Sequence, residues 1–352
     1  MSSSADRPDL TVAALNPPRA YGEPLSRGVL RAQPEDFVVE EDLGFAPAGT
    51  GQHVLLKVRK RDANTQWVAK ALARTATCRP FDVGYAGLKD RRAVALQWFS
   101  VPKSAVSLEQ WQTIAGEGFE VVEAHAHTRK LPRGALAGNR FLIRIRQMEV
   151  DDTSLAVRVA AIGQHGVPNY FGAQRFGRDG SNLARIPDDL RSLGSPERGF
   201  VLSAARSVVF NAVAGERVRE GSWARMEVGD IANLDGRGSI FPVEAADALI
   251  EERCARLEIH PTGPLWGRGL PATRERINTM ETEVSAQLPR ECSLTVQAGM
   301  DQERRALRLA VRDLEWRREP DAIFLGFRLT KGSFATTVLR EIVDSEAGEE
   351  AD

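Results

Sequence analysis

Apolar and polar residues alternate over several stretches between residues 28 and 146 and again after residue 301. Such alternation is typical of strands with one buried face, and it predicts strands at 28–41 with a turn at 33–36, and at 53–59, 119–124, 140–146, 306–316 and 322–329. Two further apolar runs, 83–87 and 93–101, enclose a polar loop and also predict strands. The chain therefore begins and ends in sheet-forming sequence.

Apolar residues at helical spacing follow polar capping residues in the other segments. The predicted helices cover 64–74, 153–165, 203–219 with Ser203 as the N-cap, 245–257, 273–288 and 333–343. Short strands are predicted within 226–243, and a disordered acidic tail is predicted after residue 343. The middle of the chain is thus predicted to be mixed in structure.

The length of 352 residues predicts about two domains. Three scattered cysteines are too few for a disulfide framework or a four-cysteine zinc site, and residues 1–10 are polar without the apolar core of a signal peptide. No stretch approaches eighteen apolar residues, which argues against a membrane span. These features predict a cytoplasmic protein with no membrane partner.

The net charge of -1 hides a strong asymmetry. Residues 51–146 contain 17 Lys and Arg against 7 Asp and Glu, whereas the rest of the chain is acidic. A local excess of this size can bind a phosphate backbone. The alternative, that the basic side chains are scattered over several faces, stays open.

Asp90 is the candidate for chemistry within this basic region. It lies in the loop between the strands predicted at 83–87 and 93–101, beside Lys89, Arg91 and Arg92, which would keep its carboxylate ionised. A carboxylate held at the end of a strand can act as a nucleophile. The alternative is an ordinary charged hairpin turn.

A second basic loop, residues 127–139, carries Arg129, Lys130 and Arg133, which we select as candidate contacts for RNA phosphates. An exposed, solvated loop is the alternative. His125 and His127 share one face of a strand, but no third ligand lies nearby in the sequence, so no metal is predicted. A Gly-x-Gly-x-x-Gly motif after a strand is missing, and residues 331–333 reverse the order that a P-loop requires, so no nucleotide cofactor is predicted.

Several of these segments resemble, in type and order, the TruD family of tRNA pseudouridine synthases. The matching segments are Arg31 to Val39, Asn64-Thr65, Ala86 to Val94, Arg129 to Leu131, Gly134 to Phe141, Gly166 to Gly177, Leu202 to Ser207 and Gly332 to Thr337. The resemblance covers residues 19–343, and so many matches in one order are unlike a chance motif.

The resemblance implies a cofactor-free isomerase that converts uridine 13 of tRNA to pseudouridine, with Asp90 as the nucleophile. Whether the carboxylate attacks C1′ of the ribose or C6 of the ring stays open. The target base must leave its stack, which requires an aromatic platform. The residues that the resemblance places around the uridine are Phe37, Phe141 and Phe334, with Asn139 as a hydrogen-bonding partner and Arg31 beside the aspartate.

The residues themselves leave other interpretations for these positions. The pattern favours core roles for the three phenylalanines and a turn role for Asn139. Arg31 stands where a lysine would fit the family pattern as well or better, and the two side chains are different donors.

The family's architecture is α+β: a catalytic domain with a mixed, largely antiparallel sheet and flanking helices, interrupted by a smaller α/β domain. By resemblance, residues 1–165 and 311–352 form the first, 166–310 form the second, the tRNA binds in the cleft between them, and the protein is a monomer. Two rival functions stay open, a non-catalytic RNA-binding or chaperone protein and an RNA N-glycosidase.

Overall fold

The computed structural model describes residues 10–177, 181–184 and 194–346. The chain divides into two compact units. The sheet unit comprises residues Leu25–Val159, Val311–Gly332 and Ile342–Asp352, and the helical unit comprises Met1–Pro24, Ala160–Ala310 and Ser333–Glu341. This division assigns residues before 25 and residues 333–341 to the same unit as the middle of the chain, whereas the domain boundaries at 165/166 and 310/311 remain predictions.

The strands are β1 Ser26–Leu30, β2 Phe37–Asp42, β3 His53–Arg61, β4 Gly84–Tyr85, β5 Val94–Pro102, β6 Ala115–Gly116, β7 Phe119–His127, β8 Gly138–Arg146, β9 Val167–Pro168, β10 Ile231–Leu234, β11 Ile240–Pro242, β12 Ile259–Leu265, β13 Glu303–Ala306, β14 Arg308–Leu309, β15 Arg312–Arg318, β16 Ala322–Thr330 and β17 Val343–Glu346. The α-helices are α1 Leu10–Leu15, α2 Thr65–Thr75, α3 Leu108–Trp111, α4 Asp152–His165, α5 Ser181–Ala184, α6 Ser195–Arg219, α7 Ala248–Ala255, α8 Glu275–Ala286, α9 Pro289–Gln297 and α10 Ala335–Leu339.

Within the described residues, eleven strands of the sheet unit form one sheet. Its main path runs β15-β16-β8-β2-β5-β3-β7-β6, with β1 paired to β8, β17 paired to β1, and β4 paired to β5. The pairs β2–β5 and β1–β17 are parallel and the others are antiparallel. The predicted α+β fold with a mixed, largely antiparallel sheet is therefore confirmed.

Helix α2 covers one face of this sheet. Asn64 caps it, because its side chain accepts a hydrogen bond from the backbone N–H of Gln66 at 2.8 Å. The buried side of the helix, with Val68 and Leu72, packs on alternate residues of β3 such as Leu56 and Val58. The helix and strand periods read from the sequence therefore meet in one core.

The core of the helical unit is built around α6, whose Val208 and Val209 are fully buried. The predicted start of this helix at Ser203 is wrong: the helix begins at Ser195, after Gly194 and with Pro196 in its first turn. Proline is tolerated there because the first N–H groups of a helix have no intrahelical partner. The polar residue Ser203, predicted as the N-cap, lies inside the helix.

Two other predictions about elements are wrong. The helix predicted over 333–343 ends at Leu339, and Val343 begins strand β17 instead. The strand predicted over 306–316 is divided among β13, β14 and β15. The predicted disordered tail is wrong for residues 344–346, which belong to β17, and its residues 347–352 lie outside the described residues. No helix in the described segments is long and apolar enough to cross a membrane.

Candidate active site

Asp90 lies in the loop of residues 86–93, here called the Asp90 loop, which joins β4 to β5. These strands pair in antiparallel fashion, with Tyr85 opposite Phe99. Because β4 already ends at Tyr85, Asp90 is several residues beyond the strand and not at its end as predicted. Its side chain is 57% exposed and thus open to a substrate.

Arg31 is the cation that contacts Asp90. Its Nη2 donates a hydrogen bond of 2.7 Å to Oδ2 of the carboxylate, and its guanidinium carbon lies 4.2 Å from the centre of the Phe37 ring. Stacking on one side and an ion pair on the other fix the plane of the guanidinium. Arg31 also has a φ of 57°, a left-handed conformation that is uncommon for residues other than glycine.

The sequence neighbours of Asp90 have other partners. Lys89 Nζ lies 2.7 Å from Oε1 of Glu41, and Arg91 Nε lies 3.4 Å from Oδ1 of Asp62. Lys89 and Arg91, two of the three adjacent cations in the prediction, therefore pair with other carboxylates. Arg31, which the resemblance placed beside the aspartate, contacts it from 59 residues earlier in the chain.

Lys60, on strand β3, holds the backbone of the Asp90 loop through hydrogen bonds. This lysine is fully buried, and its Nζ donates hydrogen bonds to the carbonyl oxygens of Asp90 at 2.8 Å and Ala63 at 2.9 Å, with that of Lys89 at 3.5 Å. Burial lowers the pKa of Lys60 to about 8, although the negative charge of Asp90 opposes this shift. Lys60 therefore links strand β3 directly to the backbone of Asp90.

Thr65 and Gln97 complete the support of this loop. The N–H of Lys89 donates to Oγ1 of Thr65 at 3.2 Å, the Thr65 hydroxyl donates to Oε1 of Gln97 at 3.0 Å, and the Gln97 amide donates to the carbonyl oxygen of Gly87 at 2.8 Å. Both side chains are buried. The loop is therefore held through main-chain groups, which leaves the Asp90 carboxylate free for other contacts.

Glu41 anchors the loop from strand β2. Its side chain is fully buried, and its Oε2 accepts a hydrogen bond from the backbone N–H of Trp98 at 2.8 Å. Burial raises the pKa of Glu41, and the ammonium group of Lys89 counteracts that rise. Removing either partner of this pair would leave a buried charge unmatched.

Sequence reasoning missed Lys60, Gln97 and Glu41. The signal for Lys60 was present, because it occupies the buried phase of β3 together with Val54, Leu56 and Val58. A lysine in the apolar phase of an alternating strand must be satisfied internally. No comparable pattern marked Gln97.

The register of β2 and β8 places several of the predicted substrate residues on one sheet face. Glu41 pairs with Asn139 and Val39 pairs with Phe141, and residues two apart on a strand point to the same side. Phe37 shares this face, and its ring centre is 6.1 Å from that of Phe141. Since Phe37 contacts Arg31 and Glu41 contacts Lys89, the Asp90 loop lies over the same face.

The two phenylalanines are largely buried, Phe37 at 4% exposure and Phe141 at 6%. Phe141 also packs on Phe327, with 5.5 Å between ring centres. Most of the surface of both rings therefore belongs to the core, as the alternative interpretation had it. Their contact with a substrate stays a prediction.

Asn139 differs from its neighbours because its Oδ1 atom is buried and accepts no hydrogen bond from any described residue. Asn139 lines a cavity of about 580 Å³ together with Glu41 and Leu329. An unsatisfied buried acceptor is costly. Such an atom is suited to a ligand that brings a donor.

Phe334 belongs to the helical unit, where it precedes α10 and is 39% exposed. The sheet unit thus contains Arg31, Phe37, Asp90, Asn139 and Phe141, whereas Phe334 is part of the other compact unit. Its predicted role at the uridine stays a prediction.

The second basic loop lines a cavity of about 370 Å³ with Phe45 and His127. Two cations of this loop stack on aromatic rings. Lys130 Nζ lies 4.5 Å from the centre of the Phe81 ring, and the Arg133 guanidinium carbon lies 3.7 Å from the centre of the Tyr85 ring. Arg129 is exposed. Phe81, which is 81% exposed, was missed by the sequence analysis, and an exposed aromatic ring beside cations is suited to unpaired nucleotides.

The two histidines considered for a metal have other partners. His125 Nε2 lies 3.0 Å from Oε2 of Glu123, and His127 Nδ1 accepts a hydrogen bond from the N–H of Ala48 at 3.2 Å. Burial, assisted by nearby Arg129, lowers the pKa of His127. In the described parts of the chain, no group of three or more His, Cys, Asp or Glu residues is placed to hold a metal ion.

The protein belongs to the α+β class and carries a charged loop over a mixed sheet. Comparisons with known proteins define its family. A crystal structure of a tRNA pseudouridine synthase D (TruD) from Methanosarcina mazei superposes with a TM-score of 0.76 at 20% identity, over 96% of this chain and 98% of that one. At this identity the likeness concerns the fold alone.

The sequence comparisons are more specific. The family model described as tRNA pseudouridine synthase D (TruD) matches residues 20–186 and 185–342. The tRNA pseudouridine synthases D of Methylococcus capsulatus and Nitrosococcus oceani are 46% and 45% identical to this chain, in each case over 93% of the chain and 94% of the relative. The chain belongs to the TruD family and is therefore an enzyme, an isomerase.

Proposed function

We propose that this enzyme converts uridine 13 of tRNA to pseudouridine in the cytoplasm, with Asp90 as the nucleophile on a uridine that has left its stack. The observation that carries the proposal is the Asp90 loop, in which an exposed carboxylate pairs with Arg31 at 2.7 Å while Lys60 holds the backbone carbonyl of the same residue. An exposed reactive group on a fixed backbone is the arrangement that nucleophilic catalysis requires.

The reaction breaks the bond between ribose C1′ and N1 of uracil, turns the base and forms a bond from C1′ to C5, while C5 loses a proton and N1 gains one. The Asp90 carboxylate can serve this sequence by attack on C1′ or on C6. Arg31 orients the carboxylate through the hydrogen bond from its Nη2, and no redox step or group donor is needed.

The base requires a pocket once it has left the RNA stack. We propose that the buried amide oxygen of Asn139, which lacks a partner among the described residues, accepts the N3–H of the uracil ring. Phe37 and Phe141 on the same sheet face supply apolar contact, and Phe334 is proposed to join them. Arg129, Lys130 and Arg133 are proposed to contact RNA phosphates.

The domain assignment also stays a proposal. Residues 1–165 and 311–352 are proposed to form the catalytic domain, interrupted by residues 166–310, and the pairing of β16 with β8 supports it because the late strand completes the sheet of the early ones. The enzyme is proposed to act as a monomer.

The decisive experiment is release of tritium from a tRNA transcript labelled at C5 of uracil. Wild type should release label, Asp90→Asn should release none, and a transcript with cytidine at position 13 should release none from that position with either protein. Asp152→Asn, a change in an exposed carboxylate of the same unit that pairs with Arg318, serves as the matched control and should behave as wild type.

Each rival function has its own outcome in this assay. Release of free uracil, in place of tritium release from a base that stays attached to the RNA, would identify an N-glycosidase. Tight tRNA binding without release by wild type, and equal behaviour of Asp90→Asn, would identify a non-catalytic RNA-binding protein. Release by Asp90→Asn at the wild-type rate would exclude Asp90 as the nucleophile.

A further inference from the structure

Two arginines of the helical unit share one aromatic ring. The guanidinium carbon of Arg305 lies 4.3 Å from the centre of the Phe171 ring, and that of Arg175 lies 5.3 Å from it. Arg305 also lies 5.6 Å from the centre of Phe210. Stacking on a ring face holds a guanidinium plane in position.

Neither guanidinium has a carboxylate within 4.0 Å among the residues that the structure describes. The hydrogen-bond partners of both are neutral: Arg305 donates to Oδ1 of Asn169 at 2.8 Å, and Arg175 donates to Oγ of Ser203 at 3.0 Å. The Nε atom of Arg305 is buried and has no described partner. Among the described residues, the two positive charges therefore meet without a matching anion.

Nearby arginines of the same unit are matched in the ordinary way. Arg206 pairs with Glu303 at 3.0 Å, and Arg304 pairs with Glu281 at 2.7 Å. Burial, together with the positive charge of Arg175, lowers the pKa of Arg305 to about 10. At neutral pH Arg305 remains charged, so the protein carries an electrostatic cost here that a bound anion would remove.

The site is also built rigidly. The backbone N–H of Phe171 donates to Oδ1 of Asn211 at 2.9 Å, and the Asn211 amide donates back to the carbonyl oxygen of Phe171 at 3.0 Å. Asn211 is fully buried in α6. Arg175 is exposed, and Arg305 and the Phe171 ring are partly buried beside it, so a ligand can reach the site from solvent at Arg175.

We infer that Arg175 and Arg305, stacked on Phe171, form a phosphate-binding site that takes a backbone phosphodiester of the RNA substrate. A planar guanidinium fork matches two phosphate oxygens, which is why arginine is preferred for such contacts. The assignment of the phosphate to RNA rests on the proposed function, whereas the anion site itself rests on the unmatched charges.

The test is tRNA binding by the full chain over a series of KCl concentrations. Each phosphate contact that is lost should reduce the slope of log Kd against log salt by about 1. Arg175→Gln is expected to weaken binding about tenfold at low salt and to reduce the slope by about 1, because it removes one charged contact from an exposed position. Arg268→Gln, at an exposed arginine that already pairs with Asp301, is the matched control and should leave the slope unchanged.

Arg305→Gln separates ligand binding from packing. If the site is built for phosphate, this variant has the same effect on the slope while thermal unfolding of the free protein stays unchanged or rises, because an unmatched charge has been removed. A lower unfolding temperature with an unchanged slope would show that Arg305 is a packing element and would overturn the proposal. Since Arg175 is exposed, its variant gives an answer even if Arg305→Gln fails to fold.

Inorganic phosphate distinguishes the two sources of the ligand. It should raise the unfolding temperature of wild type weakly and should compete with tRNA. Tight binding of inorganic phosphate, together with unchanged tRNA slopes in both variants, would assign the site to a small anion and overturn the RNA assignment. Because these measurements follow binding only, a wild type that binds tRNA but releases no tritium would refute the proposed function without touching this site.

Discussion

Lys60 of the sheet unit and Arg217 of the helical unit are both fully buried, but their charges are met in different ways. Arg217 donates to both carboxylate oxygens of Asp230, at 2.8 and 3.1 Å, and also to the carbonyl oxygen of Ser222. Lys60 contacts main-chain carbonyl oxygens and has no carboxylate within 4.0 Å in the described segments. The charge of Arg217 is therefore matched by a carboxylate, whereas among the described residues the charge of Lys60 is met only by carbonyl oxygens.

The difference follows the position of each side chain. Arg217 joins α6 to the segment before β10, and a bidentate ion pair makes that joint rigid. Lys60 donates to the carbonyl oxygen of Asp90, while Arg31 donates to the carboxylate of the same residue. A buried charge can therefore serve the scaffold alone or can hold a reactive loop, and its partners distinguish the two cases.

Arg217→Met should give the largest loss of stability. The change leaves the Asp230 carboxylate buried without its cation, which typically costs about 3–5 kcal/mol. Urea denaturation followed by circular dichroism measures the free energy of unfolding. Replacing the partner as well, in Arg217→Met with Asp230→Leu, should recover most of the loss, and a loss below about 1 kcal/mol in the single variant would contradict a structural role for the pair.

Lys60→Met should affect catalysis more than stability. The variant leaves the carbonyl oxygens of Ala63 and Asp90 without this donor, which should lower the free energy of unfolding by about 1–3 kcal/mol. Because Asp90 is then no longer held in position, kcat should fall about a hundredfold, while tRNA binding should be unchanged. Single-turnover tritium release and filter binding separate the two quantities.

Arg59→Met is the matched control for this lysine. Arg59 is the preceding residue of the same strand, but it is exposed and pairs with Glu120 at the surface. It should leave kcat within about twofold, because an exposed pair contributes little. If Lys60→Met keeps wild-type kcat, or loses more stability than Arg217→Met, the distinction between the two buried cations fails.

Local periodicity predicted what is local in this fold. Strands β3, β5, β7, β8 and β16 and the capped helix α2 were found because side chains on one face repeat every two residues or every turn. The start of α6 was missed because Gly194 and Pro196 resemble a loop, although both residues are compatible with a helix start.

The candidate site was predictable only in part. Asp90 and Arg31 were found through motifs, but their contact joins positions 59 residues apart and depends on the left-handed backbone of Arg31. The meeting of Arg305 with Phe171 spans a still longer stretch of chain, and no local pattern in sequence encodes which distant groups lack a counter-charge. Pairing across the fold is therefore what the structure adds.

The pH dependence of stability sharpens the contrast through the pKa of Lys60, which burial lowers to about 8 from about 10.4 in an unfolded chain. Between these values the unfolded chain binds a proton that the folded protein has released, so the free energy of unfolding rises with pH. Below pH 8 both states are protonated and the cost of burying the charge is fully present.

The measurement is the difference in unfolding free energy between wild type and Lys60→Met at pH 7, 8, 9 and 10. This difference should move in favour of wild type by on the order of 1 kcal/mol or more as the pH rises, because only wild type carries the titrating amine. The shared titration of all other groups cancels in the comparison. A flat difference would show that Lys60 is not a strained buried cation.

Arg31 should give the smallest effect, if Lys60 rather than Arg31 sets the position of the Asp90 backbone. Arg31→Lys keeps one donor to the carboxylate and a cation over Phe37, so kcat should fall by no more than about threefold. Arg31→Met removes the charge-assisted hydrogen bond and should lower kcat about tenfold, still less than Lys60→Met. Equal losses in Arg31→Lys and Arg31→Met would mean that the planar fork itself is required, and a loss larger than that of Lys60→Met would place the control of the loop at its exposed ion pair instead of its buried lysine.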